Sequence, residues 1–212
     1  MVNLAFTLLG LVVAITVHEC AHAWTADRLG DPTARQMGRV SLNPIVHLDP
    51  LGSVMMLVTA ITGVGIGWGK PVPVSSYRLK YGSRLGGGLV SLAGPVSNVS
   101  FAVVLGLIWR LMPFVPYLST ALFVISLVNI TIAMFNLLPL PPLDGFGVLM
   151  GLLSVFRGQW AWKLSEWFGQ LQRFGPMLLI LELVVTQFMG IPVLGWLIGP
   201  PTRFFQRVIL GI

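Results

Sequence analysis

Apolar residues in this chain come in long uncharged blocks, set apart by short polar, turn-rich stretches. No charge lies between Asp49 and Lys70, between Arg84 and Arg110, between Arg110 and Asp144, or between Glu182 and Arg203. Each interval reaches the roughly 20 residues that a helix needs to cross a bilayer core. The blocks predict helices from Leu4 to about Ala26, over 51–68, over about 86–109, over about 117–138 and over 146–156. The second block grows rich in glycine towards its end. An amphipathic segment at 157–174 follows, with Trp160, Trp162 and Trp167 suited to a membrane interface. The last apolar stretch, 176–199, is broken by Gly190, Pro192 and Gly195, and reads either as one span or as a tight hairpin.

The polar connections carry their own signals. Residues 27–50 hold Arg28, Arg35 and Arg39, and within them "GRVSLNP" has a short β-like run. In "GKPVPVSSYRLKYGSR" at 69–84, Val72 and Val74 each precede or follow a proline, which disfavours helix and predicts extended backbone. "NLLPLPPLDG" breaks the helix before it. The predicted fold is an all-α polytopic membrane protein of about four to six transmembrane or re-entrant helices with a small membrane-associated β element. Residues 1–156 form the core, and 157–212 form a C-terminal amphipathic segment and last membrane helix or hairpin of the same domain. There is no internal repeat and no long linker.

Composition agrees. Hydrophobic residues make up 55% of the 212 and charged residues only 9%, against roughly 25% charged in a soluble domain. So few charges cannot cover a water-facing surface. The net charge of +6 is spread over short loops, with no basic cluster interleaved with aromatics, so it is a topology signal and not a nucleic-acid one. The loops 27–50 and 69–84 are both positive, which places both on the cytoplasmic side and makes the block between them re-entrant. Cys20 is the single cysteine and excludes an intramolecular disulfide framework. "MVNLAF" has no positive residue ahead of the apolar run, so the first block is read as a retained helix and not as a cleaved signal.

Against that apolar background, "HECAH" at 18–22 stands out. Histidines four apart on a helix lie about 40° apart in azimuth and one turn apart in height, so both imidazoles reach one metal ion. Glu19 lies about 100° further round, on the flank of the same face, where it reaches a water beside the metal. Two His that bind zinc, with Glu as general base, use this spacing. Cys20 is about 200° from His18 and points away. In water such a pattern is often surface decoration, but ionisable groups inside a membrane are costly and mark function.

A catalytic zinc takes three protein ligands and one open position. Asp144 is the candidate third ligand, the sole charge among the 46 residues from Leu111 to Phe156. It follows three prolines, at 139, 141 and 142, that unwind the helix and aim the carboxylate. The alternative is an N-cap on the helix that begins near Gly145. His47, the one remaining histidine, reads as holding the turn between Pro44 and Pro50, with gating or transient metal contact as the alternative. Glu182, alone in the last apolar stretch, carries no assignment.

These residues together resemble a known family. "HECAH" on the first helix, "AGPVSN" at 93–98 and "NLLPLPPLDG" at 136–145 look like the three motifs of site-2 proteases, which are intramembrane zinc metalloproteases. The resemblance covers roughly residues 10–156. "GRVSLNPIVHLDPLG" and "GKPVPV" look like the compact bacterial and archaeal branch that lacks a PDZ domain, which implies a prokaryotic cell (inner) membrane. The resemblance implies that His18, His22 and Asp144 bind one Zn2+, and that Glu19 activates the water. Asn136 matches a family Asn facing the scissile carbonyl, where its amide donates to the developing oxyanion; its other reading is a buried polar link between helices. Asn98 either orients the site or links helices. Many members carry a PDZ or other sensing domain between spans, and this chain leaves no room for one, so no regulatory partner is carried over.

The expected activity is hydrolysis of peptide bonds in or near transmembrane segments of membrane protein substrates, with the active site towards the cytoplasmic side. Such a substrate must unwind, and the extended runs at 39–42 and 71–75 offer an edge for strand addition. Partners are substrate transmembrane segments and the lipid bilayer, with no nucleic acid. The alternatives are a divalent metal-ion transporter and a catalytically inactive scaffold of the same family. A transporter tends to string ligands along successive helices, whereas the polar residues here converge on one site.

Overall fold

A computed structural model describes residues 2–62, 67–111 and 115–211. Helix α1, Val2–Arg28, opens the chain; the single turn α2, Thr33–Gln36, and helix α3, Pro50–Thr62, follow. Then come α4, Gly82–Leu111, α5, Pro116–Asn136, α6, Asp144–Val155, α7, Gln159–Leu171, α8, Gly175–Met189, and α9, Val193–Leu210. Four helical stretches among the described residues are long and apolar enough to cross a membrane: Leu4–Arg28, Gly82–Leu111, Pro116–Asn136 and Gln159–Met189. The chain is a helical, multi-pass membrane protein.

Helix α4 is the hub and packs on α1, α5 and α6. Lipid supplies no hydrophobic drive between helices, so small residues and buried polar contacts must hold them. The contacts follow that rule. Ala14, Ala23 and Ala26 on α1, Ala102 on α4 and Ala133 on α5 are fully buried. The Ser126 hydroxyl on α5 donates to the Ala102 carbonyl at 3.1 Å. Where α4 meets α6, a Cβ on Gly88 would stand 2.9 Å from the Gly151 Cα, so the two backbones approach as only glycine allows.

The loops on either side of α3 are bonded to each other. The Lys70 amide donates to the His47 carbonyl at 2.7 Å, the Lys80 amide to the Leu29 carbonyl at 2.8 Å, and the Ser75 amide to Asp31 at 2.6 Å. Both loops therefore lie at one end of the bundle. Over its 13 described residues, α3 is about 20 Å long, shorter than the roughly 30 Å hydrocarbon core. The glycine-rich end predicted for this block, residues 63–66, lies outside the described residues.

The β element is a correction. No strand forms among the described residues; there is one isolated antiparallel bridge, Leu48 to Gly69. Pro71 and Pro73 have no N–H with which to extend a ladder. The run at 39–42 turns instead, because the Ser41 hydroxyl accepts the Asn43 amide at 3.1 Å and the Ser41 carbonyl accepts His47 Nε2 at 2.7 Å.

The last apolar stretch resolves into two helices. Gly190, at φ 68°, ends α8 in the left-handed conformation. Then α9 returns, and its Ile209 and Leu210 enter a core with Ala102, Ile130, Ala133 and Met134. Glu182 stitches the break: its Oε1 accepts the Leu194 amide at 2.9 Å and the Thr186 hydroxyl at 3.0 Å.

Candidate metal centre

His18 and His22 share one face of α1 and are buried to 6% and 8% exposure. Their rings stand edge to face, with centroids 4.5 Å apart. Asp144 comes to them from the other end of the core. Residues 137–143, with their three prolines, are not helical, and α6 restarts at Asp144. Leu143 occupies the cap position, and the Asp144 carboxylate makes no capping bond. The N-cap alternative lapses, and the carboxylate faces the imidazoles. Asp144 Oδ2 stands 2.8 Å from His18 Nε2, and Oδ1 stands 3.4 Å from His22 Nε2.

Hydrogen bonds on the far side of each ring decide what those short distances mean. His18 Nδ1 lies 2.6 Å from Asn98 Oδ1, and His22 Nδ1 lies 2.7 Å from the Val90 carbonyl. Both partners are acceptors, so each Nδ1 is the donor, and each Nε2 is left facing Asp144, free to give its lone pair to a metal ion. Asp144 Oδ2 accordingly makes no hydrogen bond despite its proximity and burial. Three acceptors thus converge, with ligand atoms all within 4.8 Å of one another. Acceptors repel unless a cation joins them. Two imidazoles and one carboxylate, each ring held from behind, form a donor set that fits a zinc ion with an open position.

Asn98 contacts both His18 and the neighbouring helices. Its Oδ1 takes the His18 proton, while its Nδ2 donates to the Ala14 carbonyl at 3.0 Å and to Asn129 Oδ1 at 2.8 Å. These bonds fix the His18 ring and tie α1, α4 and α5 together. Gly94, within the "AGPVSN" run on α4, lies directly over the rings. A Cβ there would sit 2.5 Å from His22 Nε2 and 2.6 Å from His18 Nε2.

A cavity of about 270 Å³ opens on the cluster. Glu19 lines it, and so does Asn136, the last residue of α5, whose Nδ2 donates to the Ile132 carbonyl at 3.0 Å. Cys20 is not among the clustered donors. His47 is fully buried away from them; its Nε2 and its carbonyl hold the loop, as in its structural reading.

Sequence reasoning missed the Val90 carbonyl, Asn129, and Ser91, which lines the cavity. A backbone carbonyl leaves no trace in side-chain identity. Asn129 did leave one, a polar amide inside an apolar block, and at 0% exposure it marks a buried inter-helix contact.

Over 157 residues the chain is 41% identical to a Bacillus subtilis (strain 168) protein named "Putative zinc metalloprotease YwhC", covering 70% of this chain and 69% of that one. It is 34% identical over 144 residues to "Putative zinc metalloprotease Rip2" of Mycobacterium tuberculosis (strain H37Rv), and 32% identical over 143 residues to the Mycolicibacterium smegmatis protein of the same name. The matched region spans 54% of each Rip2 protein, little more than half its length. No family model and no solved structure matches the chain. With 41% identity across more than two thirds of both chains, and with the donor set such a name requires assembled on α1 and α6, the chain belongs to the site-2 protease family of zinc metalloproteases.

Proposed function

We propose that this chain is an intramembrane zinc endopeptidase that hydrolyses peptide bonds in or near the transmembrane segments of membrane proteins. The observation that carries the reading is the trio of potential ligands, His18 Nε2, His22 Nε2 and the Asp144 carboxylate, gathered within 4.8 Å of one another on a cavity that Glu19 also lines. Held by these three, a single zinc ion would polarise the scissile carbonyl and acidify a water. Glu19 is the general base. It takes the proton of the attacking water and returns it to the leaving amine, so the amine departs neutral. Asn136 lines the same cavity, and one of its amide hydrogens is left over from its bond to Ile132 to meet the developing oxyanion.

A substrate helix hides its own backbone, so the enzyme must hold it unwound. Val72 and Val74 both line the cavity, two apart, on backbone that belongs to neither helix nor strand. Neither amide has a hydrogen-bond partner among the described residues. Pro71, before Val72, and Pro73, between the two valines, have no N–H groups to offer. The segment has the character of a one-sided edge onto which an unwound substrate can pair as an extra strand.

The active-site end carries Lys70, Arg78, Lys80 and Arg84 together with the loop arginines. Positive charge of this kind stays cytoplasmic, so the catalytic cavity opens to the cytoplasm, in a prokaryotic inner membrane.

The test is reconstitution of the chain and its Glu19→Gln variant with a single-span membrane protein. Cleavage by the first and none by the second, with zinc content equal, supports the reading. A Gln variant that still cuts, or a wild type that carries the metal across the vesicle wall and cuts nothing, ends it.

A further inference from the structure

We propose that Arg39 and Asp31 are positioning residues, two charged staples that fix opposite ends of the segment 70–75 so that Val72 and Val74 face the metal-binding cluster. The proposal rests on the strand-pairing reading given above.

At the leading end, Arg39 is 4% exposed. One guanidinium nitrogen donates to the Val46 carbonyl at 2.6 Å, and the other donates to the Lys70 carbonyl. A planar fork with both prongs on carbonyls of different segments fixes distance and angle together. The Lys70 amide donates to the His47 carbonyl as part of the Gly69–Leu48 bridge, so both the amide and the carbonyl of Lys70 are tied to the loop at 39–48. Segment and catalytic base are adjacent here: a Cβ on Gly69 would lie 3.5 Å from Glu19 Oε1.

At the trailing end, Asp31 is fully buried. Its Oδ2 accepts the Ser75 amide at 2.6 Å, and its Oδ1 accepts the Thr33 hydroxyl at 2.5 Å and the Thr33 amide at 3.2 Å. The two acceptor atoms join the segment to the loop that leaves α1, the helix that carries His18, Glu19 and His22. Between the staples the segment makes no backbone hydrogen bonds. Its position is set from its ends. A carboxylate and a guanidinium, both buried, hold a stretch of backbone that must stay unpaired until substrate arrives.

Two measurements test this. The first needs no activity. Cys20→Ser removes the sole cysteine, and Val72→Cys then takes a nitroxide label whose mobility is read by electron paramagnetic resonance. Arg39→Gln and Asp31→Asn should each mobilise the label, and Arg39→Lys, which keeps the charge and loses the fork, should do so partly. A label equally immobile in all three variants overturns the proposal. The second compares an extended apolar decapeptide with the same peptide N-methylated at alternate residues. Wild type should cleave the methylated form at least tenfold less efficiently, because it cannot pair. The staple variants should lose most of that discrimination, chiefly through KM, with zinc content unchanged. Simple destabilisation lowers the active fraction and leaves the ratio intact, so an unchanged ratio overturns the proposal. A wild type that cleaves neither peptide counts against the proteolytic reading, and the label measurement then judges the staples alone.

Discussion

His18 Nδ1 and Asn98 Oδ1 face each other at 2.6 Å across the α1–α4 contact. The orientation of the Asn98 amide is determined by what lies behind it. Its nitrogen meets two acceptors, the Ala14 carbonyl and Asn129 Oδ1, and Asn129 is itself turned by donating to the Ile125 carbonyl at 2.8 Å. A chain of amides from α5 through α4 thus selects the tautomer of a metal ligand on α1. Partners of this kind are worth about 10–100-fold in metal affinity. Asn98→Leu should weaken zinc binding by about that factor in competition with a chelator, and Asn129→Leu by less, since Ala14 remains. Zinc affinity unchanged in both variants would show that the amides only join helices.

Gly94 lies over both ligand rings, each already pinned through Nδ1, so neither can step aside for a methyl group. Gly94→Ala must push α4 away from α1 and cost about 1–3 kcal/mol by overpacking. It should also scatter the ligands and cut zinc content sharply. Gly87, in the same helix, has nothing within 4 Å of its added Cβ; Gly87→Ala should raise stability by about 0.5–1 kcal/mol. Melting temperature and zinc content, measured on both variants, check the contrast. Equal behaviour of the two would dissociate Gly94 from the metal centre.

Asp31 ties the α1 loop to the segment that walls the cavity. Burial pushes its carboxyl upward, but the bonds from the Thr33 hydroxyl, the Ser75 amide and the Thr33 amide, with the Arg78 charge nearby, prevail and hold it below its ordinary value of 3.8. The sign follows from that depression. The carboxylate stabilises the fold at every pH above 3.8, and the contribution is lost as pH falls below 3.8 and through the folded value. Acidification should loosen the segment 70–75 in that range, seen as faster amide exchange at Ser75. In Asp31→Asn the exchange should be fast already, and indifferent to pH beyond the chemistry of exchange itself. A pH response in that variant equal to wild type would assign the effect to another group.

The His18–His22–Asp144 cluster was legible in the sequence because the membrane makes each member costly. His18, His22 and Asp144 are ionisable groups in apolar blocks, and periodicity placed two of them on one face. The helices were legible for the same reason, as uncharged blocks of spanning length. What failed to show was whatever depends on backbone. The β-like run at 39–42 has the residues of a strand, yet Ser41 and His47 bend it into a turn through main-chain bonds that no pattern announces. The Val90 carbonyl is invisible for the same reason. Arg39 and Asp31 read as ordinary loop charges; only their burial reveals that they hold the loops together.

Asn136 offers the sharpest division between chemistry and architecture. It sits at the end of α5 and lines the cavity, with one amide hydrogen committed to Ile132. If the other stabilises the oxyanion, its removal should affect the transition state and spare ground-state binding. Loss of one such donor costs about 10²–10³ in kcat. Asn136→Leu should therefore lower kcat by about that factor with KM nearly constant and zinc fully retained. Asn136→Gln, which keeps the amide but moves it outward by one methylene, should recover part of the rate. If instead KM rises while kcat holds, or zinc is lost, Asn136 serves to end α5 and shape the turn before Asp144, and the oxyanion needs another donor.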